Sequence, residues 1–221
     1  LEKLATSLDH LGSRLVIIRD DPASALARLA KEAGAGSVFW NRRYEPSAVA
    51  TEKRVSTALR KAAVHAESFG GSLLFDPDAV LTSQGGPFKV FTPYWRACLA
   101  LPSPLGPSPT PKELPRPDSW PSSVPLSELA LLPRIDWAQG IHGTWIPGET
   151  GASAALDDFL AGAIASYTTG RNRPDIRGTS RLSPHLHFGE ISPRRVWHET
   201  VRSRSAGDNK DGSRSTDDFL R

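Results

Sequence analysis

The sequence predicts an α/β part with a parallel sheet, then a proline-rich connector, then a helical part. Three observations carry this. Through residue 75, apolar stripes at helical spacing alternate with short β-branched or aromatic runs, the pattern of helices packed on a parallel sheet. Nine of the 19 prolines fall in residues 102–125, a density that sustains neither a helix nor a central strand. Beyond residue 145 the apolar spacing is helical. The linear division that follows is 1–101, 102–144 and 145–221.

Composition sets bounds. The chain has 221 residues, 38% of them hydrophobic, and one cysteine, Cys98, which excludes an internal disulfide framework. No run is long and apolar enough to span a bilayer and no secretory leader is visible, so a cytoplasmic protein is expected. Methionine is absent and Leu1 already stands in a helical pattern, from which we expect a piece of a longer reading frame. The net charge of +3 is unevenly spread: residues 1–167 hold 16 basic and 17 acidic side chains, residues 168–221 hold 11 and 7. A basic C-terminal third suits a polyanion such as DNA, and an ordinary solvated surface equally well.

In chain order, Leu1, Leu4, Leu8 and Leu11 mark a helix that Gly12 closes. Residues 14–19, RLVIIR, read as a buried parallel strand. Asp21-Pro22 caps and starts a helix whose apolar face is Leu26, Leu29, Ala30 and Ala33, ending near Gly34 and Gly36. Ser37 to Trp40 is the next strand. Pro46-Ser47 opens a helix through about His65, with Val49, Val55, Leu59 and Ala62 inside and Lys53, Arg54, Arg60 and Lys61 outside. Residues 71–75, GSLLF, are the third strand. Ligands of such sheets sit beyond the carboxyl ends of the strands, but no Gly-x-Gly-x-x-Gly follows any of them, so a dinucleotide fingerprint is not supported. The loop from Asn41 to Pro46 is either a ligand loop or an ordinary strand-to-helix connection. The aromatic residues of 88–95, FKVFTPYW, read as core. Within the connector and after it, Trp120 and Trp137 call for cover. A helix following Gly148-Glu149 buries Leu156, Phe159, Leu160, Ala163 and Ile164, with Tyr167 closing it and Asp157 and Asp158 near its start. A last helix over 193–202 turns Val196, Trp197 and Val201 inward, and residues 203–216, poor in apolar side chains, are expected to be mobile.

Residues 178–193, GTSRLSPHLHFGEISP, concentrate the chemistry. Three hydroxyls (Thr179, Ser180, Ser183) and one guanidinium (Arg181) fall within five residues. Ser183-Pro184 and Ser192-Pro193 each read as an N-cap followed by proline at the first helical position. Short donors beside outward-pointing helix amides are a recipe for an anion site, and equally what ordinary capped helices present. His185 and His187 lack further ligands at usable spacing, so no metal is expected; they tie loop carbonyls instead. Cys98 is a packing residue. No Gly-x-Ser-x-Gly elbow or other nucleophile set is present, and the catalytic residues stay unassigned.

This string closely resembles the flavin-binding segment of the DNA photolyase and cryptochrome family, in which a tyrosine stands upstream of the same TSRLS run, as Tyr167 does here. Residues 88–95 and 145–149, WIPGE, are also similar to segments of that family. The resemblance implies an N-terminal Rossmann-like antenna domain over 1–101, an interdomain linker over 102–144, and the beginning of an all-α FAD-binding domain over 145–221. It implies FAD held by Tyr167, Thr179, Ser180, Arg181, Leu182 and Ser183, the last five partly through backbone amides. It implies a DNA phosphate contact at Arg171 and a folate or deazaflavin antenna in the α/β part. The activity implied for the parent is light-driven, FAD-mediated splitting of cyclobutane pyrimidine dimers in damaged DNA, by a monomer. A family member also begins with an earlier strand and an arginine-rich turn, and continues into helices that carry the adenine side of the cofactor. Alternatives are a cryptochrome-type blue-light receptor and a nucleotide-binding module without redox activity.

Overall fold

The computed structural model describes the backbone of residues 1–205 and 210–221, and side chains outside 205–213. It divides into two compact units: residues 1–69 with 109–141, and residues 70–108 with 142–221.

In the first unit, α1 (Glu2–His10) ends as expected, with Gly12 in the left-handed region at φ +81°. In α2 (Pro22–Glu32) the Asp21 carboxylate accepts hydrogen bonds from the amides of Ala23 and Ser24, and proline opens the helix. Strands β1 (Ser37–Asn41) and β2 (His65–Phe69) pair in parallel from Ser37↔His65 to Asn41↔Phe69. The crossover between them is α3 (Pro46–Lys61), the connection a parallel pair requires. One sheet face lies on α2 and α3: Val38, Trp40 and Ala66 pack on Ala23, Val55 and the fully buried Leu59. Burying Leu59 alone stabilises the unit by about 1.5–3 kcal/mol. The other face leaves Phe39 and Phe69 exposed, their rings 5.9 Å apart.

The α/β class with a parallel pairing is therefore observed, but two expected strands are not. Residues 14–19 are extended and half-buried without a ladder. Their polar groups go to the connector: the Ile17 amide donates to Ser123 Oγ (2.8 Å), the Val124 amide to the Ile17 carbonyl (2.9 Å), and the Arg14 guanidinium to the Pro121 carbonyl (2.6 Å). A proline-rich partner offers too few amides to complete a ladder. Residues 71–75 make bends. The second strand is instead residues 65–69, which the sequence assigned partly to the end of α3. That helix stops at Lys61, and Ala63 takes φ +56°, a left-handed stop with no glycine to announce it. Residues 102–125 form neither helix nor strand, and Arg14 stacks on Trp120 at 4.8 Å. Trp137, expected to be covered, is 69% exposed. The one-turn α5 (Gln139–His142) follows.

The second unit is helical: α4 (Phe91–Ala100), α6 (Glu149–Ala161), the one-turn α7 (Tyr167–Gly170) and α8 (Ser183–His187), then α9 (Pro193–Ser205) and α10 (Lys210–Leu220). Its core joins Ala152 and Leu156 of α6, Leu182, Ile191 and Val196 of α9, with Phe219 of α10 packed against it. The rings of Phe75, Trp95 and Trp197 meet edge to face at 6.0–6.4 Å. Cys98 is fully buried, as expected of a packing residue. The aromatic run of α4 is less buried than a core reading requires, with Phe91 half exposed. Val201, expected to face inward, is exposed, and the fully buried Thr200 takes that place. Asp157 and Asp158 sit in the second half of α6 rather than near its start, because the helix begins at Glu149. Of residues 203–216, expected to be mobile, 206–209 lie outside the described residues; those on either side end α9 and begin α10.

Candidate functional site

Two local features aim the motif. After α7 the chain doubles back, and Gly170 and Gly178 touch backbone to backbone; a Cβ on Gly178 would overlap the Gly170 carbonyl. Only glycine at position 178 permits this approach, which ties the Tyr167–Arg171 turn to the start of the hydroxyl run. Second, Leu182 is buried among Leu156, Ile191 and Val196. Its side chain anchors the run while its neighbours remain accessible.

Thr179, Ser180 and Arg181 line a cleft of about 380 Å³ with Arg177, Trp145, Asp158 and His185. Arg181 lies over the Trp145 ring, its guanidinium carbon 4.5 Å from the centroid, and the Trp145 indole N–H donates to the Arg181 carbonyl (3.3 Å). His185 is buried, and its Nδ1–H donates to Glu190 Oε2 (2.6 Å). The Glu190 amide returns a bond to the His185 carbonyl (2.8 Å). The expectation that both histidines bind loop carbonyls is thus corrected: His185 takes a carboxylate, which satisfies a buried ring N–H more strongly, and His187 is exposed, its ring edge-on to Phe188.

Ser183 was expected to cap the helix that follows. Instead Leu182 occupies the cap position, Ser183 is the first residue of α8, and no side chain caps it. Ser192 does cap α9, its Oγ accepting from the Arg195 amide (3.1 Å). Tyr167 and Arg171 do not line the cleft. Tyr167 packs against Phe159 and Phe219, 5.8 and 5.2 Å between centroids, and the exposed Arg171 guanidinium lies 5.7 Å from its ring. Thr168 beside it bonds Asp218 Oδ2 (2.7 Å) on α10. Of the seven predicted binding residues, then, three converge on one cleft, Leu182 supports them from the core, Tyr167 and Arg171 form a neighbouring cation–π pair, and the exposed Ser183 starts α8 without lining the cleft.

Sequence reasoning missed Trp145 and Arg177 as lining residues. WIPGE was read as the opening of a helix and as a family-like segment, with no binding role, and its meeting with Arg181 is a contact across 36 residues.

The donor set suits a phosphate-bearing cofactor: three hydroxyls (Thr144, Thr179, Ser180) and two guanidiniums against one carboxylate. The volume lies at the low end of the roughly 300–1,000 Å³ of small-molecule pockets, room for part of a dinucleotide. In the first unit a second cleft, about 450 Å³, opens at the carboxyl end of β1 and is lined by Leu26, Trp40, Asn41, Arg43, Thr51 and Glu52 among others. There Trp40 Nε1 is buried without a partner among the described residues. Arg43 pairs with Glu45 (2.6 Å), and Glu52 Oε1 accepts from the Arg43 amide (2.8 Å). Among the described residues no three metal-ligating side chains cluster, and no helix is long and apolar enough to cross a membrane.

The frame is a parallel α/β unit and a helical unit whose cleft is lined by part of a TSRLS run, and residues 1–117 match the DNA photolyase family. The chain belongs to that family. It is 46% identical over 201 residues to a deoxyribodipyrimidine photo-lyase of Agrobacterium fabrum, covering 90% of this chain and 42% of that protein. It is 32% identical to cryptochrome-1 of Arabidopsis thaliana, covering 90% of this chain and 29% of that protein. The crystal structure of a class III photolyase from Agrobacterium tumefaciens superposes with a TM-score of 0.91 at 43% identity, over all of this chain and 46% of that one. The chain thus spans less than half the length of these relatives.

Proposed function

We propose that the parent protein is a deoxyribodipyrimidine photo-lyase, a light-dependent DNA-repair enzyme, and that this chain supplies the phosphate side of its FAD site. The observation that carries this is the convergence of Thr179, Ser180 and Arg181, consecutive in the motif, on one cleft. The two hydroxyls and the Arg181 fork donate to phosphate and ribityl oxygens. Arg177 adds positive charge from the same wall. Leu182 fixes the run from beneath, and the exposed Ser183 adds the motif's third hydroxyl at the start of α8. Tyr167 closes the cofactor's surroundings from the next turn. Flavin bound there supplies light-driven electron transfer that opens the cyclobutane ring of a pyrimidine dimer. Arg171, exposed beside Tyr167, contacts DNA phosphate, a contact that sets affinity rather than sequence choice.

The cleft of the first unit is the place for an antenna chromophore, folate or deazaflavin; the unpartnered Trp40 indole N–H is the donor a planar heterocycle would meet there. The division into an antenna domain over 1–101, a linker over 102–144 and the start of the flavin domain over 145–221 belongs to the same reading, as do a cytoplasmic location and a monomeric state.

The test is the absorption spectrum of the purified intact protein, followed by blue illumination with dimer-containing DNA. Bound flavin and restored thymines are expected. Bound flavin without dimer splitting favours the cryptochrome reading, which the 32% identity to a cryptochrome keeps in view. Protein that is colourless and takes up no FAD rejects both. The double variant Tyr167→Ala/Ser183→Ala should retain less flavin than the parent; equal content removes those two residues from the site.

A further inference from the structure

Arg181 has an uncommon backbone. Its φ is +56°, a region that residues bearing a β-carbon rarely adopt. Among the described residues two other non-glycines share it, Ala63 and Ala130. Both follow the end of a helical segment, where a left-handed residue is the usual stop. Arg181 ends nothing: it precedes α8, and it lines the cleft. Conformations of this kind persist where the surroundings over-determine them, and they gather at binding sites.

One side chain holds it from both sides. The Trp145 indole N–H takes the Arg181 carbonyl (3.3 Å), and the Trp145 ring face carries the guanidinium (4.5 Å). The same indole therefore grips main chain and side chain, and both residues line the cleft. The guanidinium also lies at an aromatic ring, as those of Arg14 over Trp120 and Arg171 beside Tyr167 do. Arg28, Arg43, Arg54, Arg173, Arg202 and Arg204 each pair with a carboxylate. Among the described residues Arg181 pairs with none, and its neighbour is an aromatic face. A guanidinium stacked on indole keeps its N–H edges free in the plane of the group, the geometry that bidentate phosphate binding needs.

We propose that Trp145 is a positioning residue for Arg181: it sets the guanidinium against the cleft wall with its N–H fork uncommitted, ready for a phosphate of the flavin dinucleotide. This rests on the flavin reading above and adds a residue to it. Trp145 acts through Arg181, not by touching phosphate itself.

A double-mutant cycle in the intact protein tests this. FAD and riboflavin, which has no phosphate, are titrated separately into flavin-stripped protein, with inorganic pyrophosphate as a third probe. Trp145→Leu removes both grips and should weaken FAD and pyrophosphate by about tenfold, the loss of one charge-assisted contact. It should leave riboflavin affinity unchanged. Trp145→Phe keeps the ring face and should retain most of the affinity. In an Arg181→Gln background, Trp145→Leu should cost nothing further. Equal weakening of FAD and riboflavin, additive losses in the double variant, or unchanged FAD affinity in Trp145→Leu each overturns the proposal. Parent protein that binds pyrophosphate but not FAD, with pyrophosphate binding lost in Trp145→Leu, keeps the positioning role and rejects the flavin reading. Parent protein that binds neither rejects both.

Discussion

At the scale of single residues, the motif sets a buried anchor beside an exposed neighbour. Leu182 is buried in the helical core while Ser183, next to it, is exposed. Leu182→Ala should therefore destabilise the intact protein by about 2–5 kcal/mol, the range for a core cavity. Ser183→Ala should change the unfolding free energy by no more than about 0.5 kcal/mol, as surface changes do. Urea unfolding of both variants checks the contrast. Glu45 provides a second residue-scale prediction. The Arg43 guanidinium bonded to it holds its carboxyl down at about 2, against 4.5 for a free side chain. The folded value is the depressed one, so the pair's contribution is complete above about pH 4.5 and fades as pH falls towards 2. An NMR titration of Glu45 should show a midpoint near 2 that returns towards the ordinary range in Arg43→Ala. A normal midpoint in the unaltered protein would mean that the pair does not form in solution. Both residues are exposed, so the pair orders the loop beside the first cleft more than it stabilises the fold.

At the scale of elements, caps and close approaches decide where the site residues point. Ser192 accepts from the Arg195 amide at the start of α9, so Ser192→Ala should cost about 1 kcal/mol, measurable as a lowered melting temperature. Gly178→Ala should do more. A methyl group there overlaps the Gly170 carbonyl, so the turn carrying Tyr167 and Arg171 must move away from the hydroxyl run. Flavin retention is expected to fall with only a modest loss of helicity by circular dichroism; full retention would show that the two-glycine contact does not align the site. Elements were unevenly legible in the sequence. Asp21-Pro22 and Ser192-Pro193 announced α2 and α9 because capping is local chemistry. Strand β2 went unread because the left-handed residue that follows α3 is Ala63 rather than a glycine, and because His-Ala-Glu-Ser-Phe alternates too weakly to declare a strand. Residues 14–19 have a strand's composition without a strand's pairing, since pairing depends on which segment lies alongside.

At the scale of the whole molecule, similarity to a photo-lyase runs along 90% of the chain, and the proposed activity is tested in the intact protein. If Arg171 touches DNA phosphate, Arg171→Ala should weaken binding to dimer-containing and undamaged duplexes by similar factors. It should also reduce the salt dependence of binding by about one counterion. A loss confined to damaged DNA would place Arg171 at the lesion rather than the backbone. By itself the sequence determined the class of fold, the starts of α2, α3 and α9 and the hydroxyl-rich run, because helical spacing, capping and a TSRLS string are written in neighbouring residues. Only tertiary structure decided that Leu182 is an anchor, that Ser183 is not a cap, that His185 binds Glu190, and that Trp145 holds Arg181. Those outcomes depend on burial and on contacts between distant segments, which local spacing does not encode.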